Sequence, residues 1–189
     1  MTDTPSPSAA ARRVLIVTTN HGVETSELTV PLRALRADGV RVTVAAPRPE
    51  AIITLVHDRT VGETVAPDAT LAEIDPSRFD LLLLPGGTIN ADRLRGDDDA
   101  QRIVRRFAVS GRPVAAICHA PWVLVDTGLA AGRTLTSYPS IRPDLVNAGA
   151  VWKDAEVVVV DADGWRLITS RSPADLDVFV SAVRDALGA

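Results

Sequence analysis

Short apolar runs that alternate with longer amphipathic segments constrain the fold of this chain more than any other feature. Predicted elements follow one another as strand 13–19, helix 24–38, strand 40–46, strand 80–84, helix 100–110 and strand 113–117. Strands that are separated by helices are expected to run parallel, because the chain crosses over before it starts the next strand. The order therefore predicts an α/β domain in which helices cover both faces of a mostly parallel sheet.

The rest of the chain continues this alternation less regularly. Further elements are predicted as helix 120–126, strand 134–136, helix 140–148, strand 156–160 and strand 165–168. A last helix is predicted with Ser172 as its N-cap and Pro173 at its first helical position. The stretch 50–79 has weak periodicity, apart from 52–56, and is predicted to hold a small hairpin and turns.

Length and charge limit the number of domains and the kind of partner. The 189 residues suit one domain, predicted over 13–189 after a flexible tail at 1–12 that is rich in Pro, Ser and Thr. Lys and Arg total 20 against 24 Asp and Glu, which gives a formal net charge of −4, and no basic run interrupts this balance. Nucleic acid is therefore not an expected partner.

Hydropathy and the N-terminal sequence favour a cytoplasmic protein. Apolar runs such as 81–84 and 157–160 are far shorter than the roughly 20 residues of a membrane-spanning helix. The segment from Met1 to Arg13 lacks an apolar core of signal-peptide length. We therefore expect no membrane association and a cytoplasmic location.

The single cysteine, Cys118, is the residue whose chemistry most needs an explanation. One cysteine excludes an intramolecular disulfide and a multi-cysteine metal site, and no metal is predicted. Cys118 lies between a buried strand and an apolar helix, as in a nucleophile elbow, where the helix N-terminus favours the thiolate. We therefore expect its pKa to lie below the ~8.5 of a free thiol. The alternative interpretation is a small buried hydrophobic residue.

Residues at other strand ends favour the catalytic interpretation, because ligands bind at the carboxyl ends of strands in parallel α/β sheets. His119 follows the thiol directly, and Glu24 lies beyond the first strand. A base and a carboxyl group are therefore expected within reach of Cys118. Gly86 and Gly87 follow the third strand, where backbone N–H groups can face an oxyanion.

Missing motifs exclude several classes of enzyme. No histidine follows His119, so papain-like proteases and true glutamine amidotransferases, which place a histidine well after the cysteine, are excluded. The chain has no G-x-G-x-x-G after its first strand and no G-x-x-x-x-G-K-[ST], so no cofactor is predicted. The other histidines, His21 and His57, are predicted to be ordinary polar residues.

Five segments of the chain match a known family in sequence and in order: LLPGG at 83–87, AAICHAPW at 115–122, TSYP at 136–139, NAGAVW at 147–152 and SRSPADL at 170–176. Together they resemble PfpI-type intracellular proteases and bacterial protein deglycases, within the class I glutamine amidotransferase-like superfamily. The resemblance spans nearly all of Val14 to Leu187. The predicted fold is accordingly a flavodoxin-like three-layer sandwich.

The resemblance also implies roles for individual residues. Cys118 matches the nucleophile, and His119 matches its partner. Glu24 matches the acidic residue that contacts the thiol, and Glu27 matches a second family glutamate. Asp92 is the best match to a carboxylate that reaches the histidine of a neighbouring subunit, although the family more often has glutamate there with one residue fewer. A homodimer or a larger homo-oligomer is therefore expected.

The function implied by the resemblance is that of a cysteine enzyme that needs no cofactor. Expected substrates are small aldehydes such as methylglyoxal, or glycated protein adducts, with weak peptidase activity as a further possibility. Gly86, Gly87 and Tyr138 are predicted to bind the substrate or its oxyanion. The alternative is a stress-response or redox-sensing protein whose Cys118 is oxidised rather than turned over.

Overall fold

The computed structural model of the chain describes residues 11–188. Its strands are β1 (Arg13–Val17), β2 (His21–Glu24), β3 (Arg41–Ala46), β4 (Ile52–Val56), β5 (Thr60–Val65), β6 (Ala69–Thr70), β7 (Leu81–Leu84), β8 (Val114–Ile117), β9 (Thr134–Leu135), β10 (Val151–Trp152), β11 (Val157–Ala162) and β12 (Trp165–Ser170). Its helices are α1 (Thr25–Ala37), α2 (Thr88–Arg95), α3 (Asp98–Val109), α4 (Trp122–Asp126), α5 (Arg142–Asn147) and α6 (Leu176–Leu187).

A mostly parallel sheet of seven strands forms the centre of the structure. Its strand order is β11-β12-β8-β7-β1-β3-β6, and β11 and β12 are its one antiparallel pair. In two smaller sheets, β9 pairs with β10, and β2 pairs with the hairpin formed by β4 and β5. Because β1, β7 and β8 are adjacent and parallel, the loops that follow them open at the same edge.

Helices cover both faces of the central sheet. On one face, Leu15 of β1 belongs to a core that includes Phe107 of α3. On the other face, Ile16 belongs to a core that includes Leu35 of α1 and Phe179 of α6. Successive residues of β1 enter opposite cores because side chains alternate along a strand. The predicted α/β class, a flavodoxin-like three-layer sandwich, is confirmed.

The main differences from the predicted elements lie next to the site. Residues His21–Glu24 form the short strand β2 instead of a turn, because they pair with β4. The stretch 50–79 contains the small hairpin that was predicted there, formed by β4 and β5, and β5 has no fully buried residue. A strand without a buried face lacks the apolar alternation on which sequence prediction depends.

The last helix begins later than predicted. Pro173–Asp175 form a 3₁₀ turn, and α6 starts at Leu176. Ser172 is at the N-cap position of this 3₁₀ turn, with Pro173 as its first residue, but its side chain makes no cap hydrogen bond, and the N-cap of α6 is Asp175. The carboxylate of Asp175 instead accepts a hydrogen bond from Arg171 Nε at 2.9 Å.

The described residues include only the end of the predicted tail, and they also show whether any helix could cross a membrane. Residues 1–10 and residue 189 lie outside the described part, so most of the tail predicted at 1–12 remains a prediction. Within residues 11–188, no helix has the length and apolarity that crossing a membrane requires.

Candidate active site

Loops from the carboxyl edge of the sheet enclose a pocket of about 350 Å³. Cys118, His119 and Glu24 all line it, as the sequence predicted. Glu27, His57 and Asp58 lie in the same pocket. The predicted convergence of strand ends therefore occurs, and it includes more titratable groups than expected.

Cys118 lies on a sharp backbone turn. Its φ of 64° is in the left-handed region, which costs a non-glycine residue about 1–3 kcal/mol. Two hydrogen bonds hold this conformation: Cys118 N donates to Ser170 O at 2.9 Å, and Cys118 O accepts from Tyr138 N at 2.8 Å. Cys118 is only 6% exposed to solvent, but the turn directs its thiol into the pocket, as a nucleophile elbow does.

His119 lies beside the thiol in a position that permits proton transfer. Its Nδ1 is 3.2 Å from Cys118 Sγ. The ring stacks on Tyr138, with centroids 4.7 Å apart and planes inclined by 25°, and contacts Trp122 at 5.5 Å. These aromatic contacts restrict rotation of the imidazole and keep Nδ1 directed at the sulfur.

The carboxyl group that contacts the thiol belongs to Glu27, so the assignment of that contact to Glu24 is wrong. Glu27 is fully buried on α1, hydrogen-bonds the thiol of Cys118, and accepts from Gly86 N at 2.8 Å. Glu24 ends β2, and its carboxylate accepts from the backbone N–H of His57 at 2.8 Å. The difference arises because Glu24 is the last residue of β2, whereas Glu27 lies in the first turn of α1, on the side of that helix that is buried.

Burial shifts the pKa values of Glu27, Cys118 and His119. Removal from water raises the pKa of Glu27 to about 8, and the nearby charge of Glu24 adds to this effect. Burial also raises the pKa of the Cys118 thiol, and the Glu27 charge raises it further. The expected low thiol pKa is therefore not supported. Burial lowers the pKa of His119, which favours neutral imidazole beside a neutral thiol.

The two glycines after β7 have different roles. Gly86 gives its N–H to Glu27, so its predicted use as an oxyanion donor is wrong. Its lack of a side chain is required, since a Cβ there would lie 2.7 Å from Cys118 Cβ. The N–H groups of Gly87 and His119 instead point at the sulfur and lower its pKa. These two amides are positioned to hold an oxyanion that forms next to the sulfur.

A carboxylate in the same chain reaches His119 through one hydroxyl group. Asp58 accepts from Thr88 N at 2.9 Å and from Thr88 Oγ1 at 2.6 Å. Thr88 Oγ1 lies 3.5 Å from His119 Nε2, and Ser140 Oγ lies 3.1 Å from the same nitrogen. Because Thr88 donates its proton to Asp58, its oxygen is free to accept from Nε2–H. This arrangement favours the tautomer that leaves Nδ1 free to take the thiol proton.

Asp92 and Tyr138 occupy different positions with respect to the pocket. Asp92 is exposed on α2 and is not part of the pocket lining. Its role across a subunit interface therefore remains a prediction. Tyr138 lines the pocket and is 41% exposed, so its side chain is accessible to a bound molecule.

Sequence reasoning missed the residues at the tip of the β4–β5 hairpin. His57 and Asp58 both have positive φ, at 53° and 57°, in a tight turn closed by Arg59 N donating to Val56 O. Type I′ hairpin turns require two such residues and most often use Asn-Gly or Asp-Gly. His-Asp lacks the glycine, so the turn was not recognised. The histidine-aspartate pair directly after the apolar run 52–56 was the available signal.

A metal site is not evident among the described residues. Within 11–188, no group of three or more His, Cys, Asp or Glu side chains is arranged to hold a metal ion.

The chain is similar to known proteins along most of its length. The model of the DJ-1/PfpI family matches residues 12–186. A deglycase of Pyrococcus abyssi is 42% identical over 165 residues, which cover 87% of this chain and 92% of the relative. Protein/nucleic acid deglycase 2 of Escherichia coli is 37% identical over 188 residues, which cover 95% of this chain and 99% of the relative.

A solved structure supports the same relationship. The crystal structure of Drosophila melanogaster DJ-1beta superposes with a TM-score of 0.82 at 32% sequence identity, covering 95% of this chain and 92% of that one. The shared fold, the matched length and the sequence identity all point to common descent. The chain belongs to the DJ-1/PfpI family.

Proposed function

We propose that this chain is a cysteine-dependent deglycase that also acts on free dicarbonyl aldehydes and needs no cofactor. The observation that carries the proposal is the 3.2 Å approach of Cys118 Sγ to His119 Nδ1 in an open pocket. A thiol in hydrogen-bond contact with a base is the arrangement used for nucleophilic attack on carbonyl carbon. The deglycase names of the Pyrococcus and Escherichia relatives support the same class of reaction.

The first chemical step follows from the protonation states. As Cys118 Sγ bonds to the carbonyl carbon, its proton passes to Nδ1 of neutral His119, and the carbonyl electron pair moves to oxygen. The amides of Gly87 and His119 stabilise the resulting oxyanion. A protonated Glu27 beside the sulfur avoids placing a second negative charge next to that oxyanion.

The volume of the pocket favours a small carbonyl compound over a peptide as the substrate. Its volume of about 350 Å³ is near the lower end of the range for ligand pockets. Methylglyoxal or a single glycated side chain fits such a space, whereas a peptide substrate needs an extended groove. Addition of water to methylglyoxal and internal hydrogen transfer give lactate, with no external oxidant or reductant.

The orientation of His119 has two candidate sources. We assign it to Asp58 of the same chain, because Thr88 connects the two side chains through hydrogen bonds of 2.6 and 3.5 Å. The family resemblance assigns it instead to Asp92 of a neighbouring subunit in a homo-oligomer. Asp92 makes no contact with this pocket within one chain, so this arrangement depends on assembly.

The substrate class is tested by incubating the purified protein with three substrates in glutathione-free buffer. The substrates are methylglyoxal, methylglyoxal-treated N-acetyl-lysine and a casein-like protein, and the products are lactate, released lysine derivative and peptides. Lactate formation and lysine recovery are expected. Peptide cleavage with no aldehyde conversion would overturn the proposal. Methylglyoxal-treated guanosine, added as a fourth substrate, tests the expectation that nucleic acid is not a partner, since the Escherichia relative is named for it.

The redox-sensing alternative receives less support from the site. Oxidation by peroxide proceeds through the thiolate, and burial raises the pKa of the Cys118 thiol. Mass spectrometry after mild peroxide treatment separates the two functions. Stoichiometric oxidation of Cys118 in a protein that turns over none of the aldehydes would favour sensing.

A further inference from the structure

A second polar cleft lies at the amino-terminal edge of the central sheet, opposite the edge that carries Cys118. Its volume is about 250 Å³, and it lies between the starts of β1 and β3 and the segment 69–79. Three arginines line it: Arg13 at the start of β1, Arg41 at the start of β3, and Arg78 from the covering segment. No described carboxylate lies within 4.0 Å of these guanidinium groups, whereas many other arginines in residues 11–188 form ion pairs with Asp or Glu.

Arg13 and Arg41 repel each other when no anion is bound in the cleft. Arg13 and Arg41 are direct partners in the parallel pairing of β1 with β3, so both side chains leave the same face of the sheet. Like charges directly opposite each other on neighbouring strands destabilise the pair. Neither guanidinium group donates a hydrogen bond to a described protein atom, whereas the guanidinium of nearby Arg112 donates to Pro76 O and Phe79 O.

The carboxylates beside the cleft are engaged elsewhere. Glu73 accepts from both the N–H and the hydroxyl of Thr70, at 2.9 and 2.7 Å. Asp75 accepts from the N–H and the hydroxyl of Ser77, at 3.0 and 2.7 Å. Both carboxylates act as caps of short turns. Asp80, next to the cleft but outside its lining, accepts from the backbone N–H of Arg13 at 2.7 Å. The lining itself has three arginines and two acids and is therefore positive, in a chain of net charge −4.

We propose that this cleft binds the phosphate group of a small phosphorylated molecule. Guanidinium groups from three elements can surround a tetrahedral anion and donate to several of its oxygens, which satisfies donors that have no protein partner. Thr43 adds a hydroxyl group, and Ile74 and Phe79 supply an apolar wall for the organic part of the ligand. The cleft is separate from the Cys118 pocket and shares no lining residue with it.

The experiment is isothermal titration calorimetry of the unmodified 189-residue chain with pyrophosphate in low-salt buffer without phosphate. Saturable binding to one site per chain is expected, with a dissociation constant below about 1 mM. Arg41→Gln and Arg13→Gln should each weaken binding at least tenfold, since each removes charge-assisted hydrogen bonds. Lys153→Gln is the matched control, because it removes one exposed positive charge from a different part of the surface and should not change binding.

A second measurement guards against variants that simply fold poorly. In ligand-free buffer, Arg41→Gln should keep or raise the melting temperature, because it removes the repulsion with Arg13, while the increase caused by pyrophosphate should disappear. Cys118→Ala should bind pyrophosphate normally, so the result is independent of the proposed carbonyl chemistry. Absence of saturable binding, or equal affinity in Arg41→Gln and in the unmodified protein, would overturn the proposal.

Discussion

At the scale of single residues, the buried carboxyl group of Glu27 controls the chemistry at high pH. With its pKa raised to about 8, Glu27 is neutral at pH 7 and becomes charged as the pH passes 8. A charge there opposes the negative charge that forms near Cys118. We predict that kcat/KM for methylglyoxal falls above pH 8, and that Glu27→Gln removes this alkaline limb. An unchanged limb in Glu27→Gln would show that another group causes it.

The same carboxyl group links folding to pH. Its pKa rises from an ordinary 4.5 to about 8 in the folded state, so the folded protein holds a proton that the unfolded chain has lost between these values. The stability that this proton contributes is complete below pH 4.5. It is lost progressively as the pH rises above 4.5 and through 8, and the free energy of unfolding falls by up to about 1.4 kcal/mol per pH unit in that range. Urea denaturation between pH 5 and 8 should show a flatter dependence for Glu27→Gln. Glu63→Gln, an exposed control, should retain the slope of the unmodified protein.

His119 allows a direct comparison of the two candidate orienting carboxylates. We predict that Asp58→Asn lowers kcat roughly tenfold to a hundredfold, because the imidazole is then less well held as a general base. The charge of Asp58 raises the pKa of His119, so the acid limb of the pH profile should also move to lower pH. A purely structural role would not move that limb. Thr88→Val should reduce kcat in the same way, whereas Thr88→Ser should retain it.

Asp92→Asn is the matched comparison for that experiment. It should have little effect on kcat if Asp58 orients the histidine. The opposite result, loss of activity in Asp92→Asn and recovery on mixing it with Cys118→Ala subunits, would indicate a site completed by the neighbouring subunit.

At the scale of elements, the turn after β7 is held against β2 with no room for a side chain. Gly87 has a φ of +85°, and a Cβ there would overlap Gly22 O and lie 2.6 Å from Glu24 N. We predict that Gly87→Ala destabilises the protein by about 3 kcal/mol through backbone strain and overlap. Gly39 is the control, because its φ is +79° but no atom lies within 4 Å of the position that a Cβ would take. Gly39→Ala should cost only about 1 kcal/mol in thermal or urea denaturation, and equal losses would contradict the steric argument.

The elements that sequence analysis predicted well are those with a buried side. Strands such as β7, with four consecutive buried leucines, and helices such as α3, with a continuous apolar face, have patterns that burial alone dictates. The β4–β5 hairpin has little such pattern, because β5 depends on pairing with β4 rather than on burial. The partners in the site were therefore harder to predict than the nucleophile: Cys118 follows a buried strand, whereas Asp58 is carried by the hairpin.

Glu24 and Glu27 illustrate a further limit of sequence reasoning. Both are acidic and lie three residues apart, so spacing does not show which one reaches the thiol. The choice depends on where α1 begins: with Thr25 as its first residue, Glu27 lies on the face that packs on the sheet, while Glu24 belongs to β2. A shift of one or two residues in the start of α1 would therefore change which acid is buried, and sequence patterns do not define helix ends that closely.

At the scale of the whole molecule, exposed aliphatic side chains close to the Asp58 hairpin support the predicted homo-oligomer. Val30 of α1 is 38% exposed, and Ile53, Val56 and Val61 of the hairpin are 37%, 37% and 64% exposed. We predict a dimer or larger assembly by light scattering, and dissociation by Val61→Asp. Val109→Asp, at an 82% exposed position on α3, should leave the assembly unchanged. A monomer at micromolar concentration for the unmodified protein would contradict the predicted assembly.

The central claim, that the Cys118 thiol performs carbonyl chemistry without a cofactor, is tested most directly by one comparison. Lactate formation from methylglyoxal is measured for the unmodified protein and for Cys118→Ala, both dialysed against chelator and free of glutathione. The account predicts turnover by the unmodified protein and a loss of at least about a thousandfold in Cys118→Ala, since the nucleophile is removed. Equal lactate formation by a correctly folded Cys118→Ala protein would contradict it.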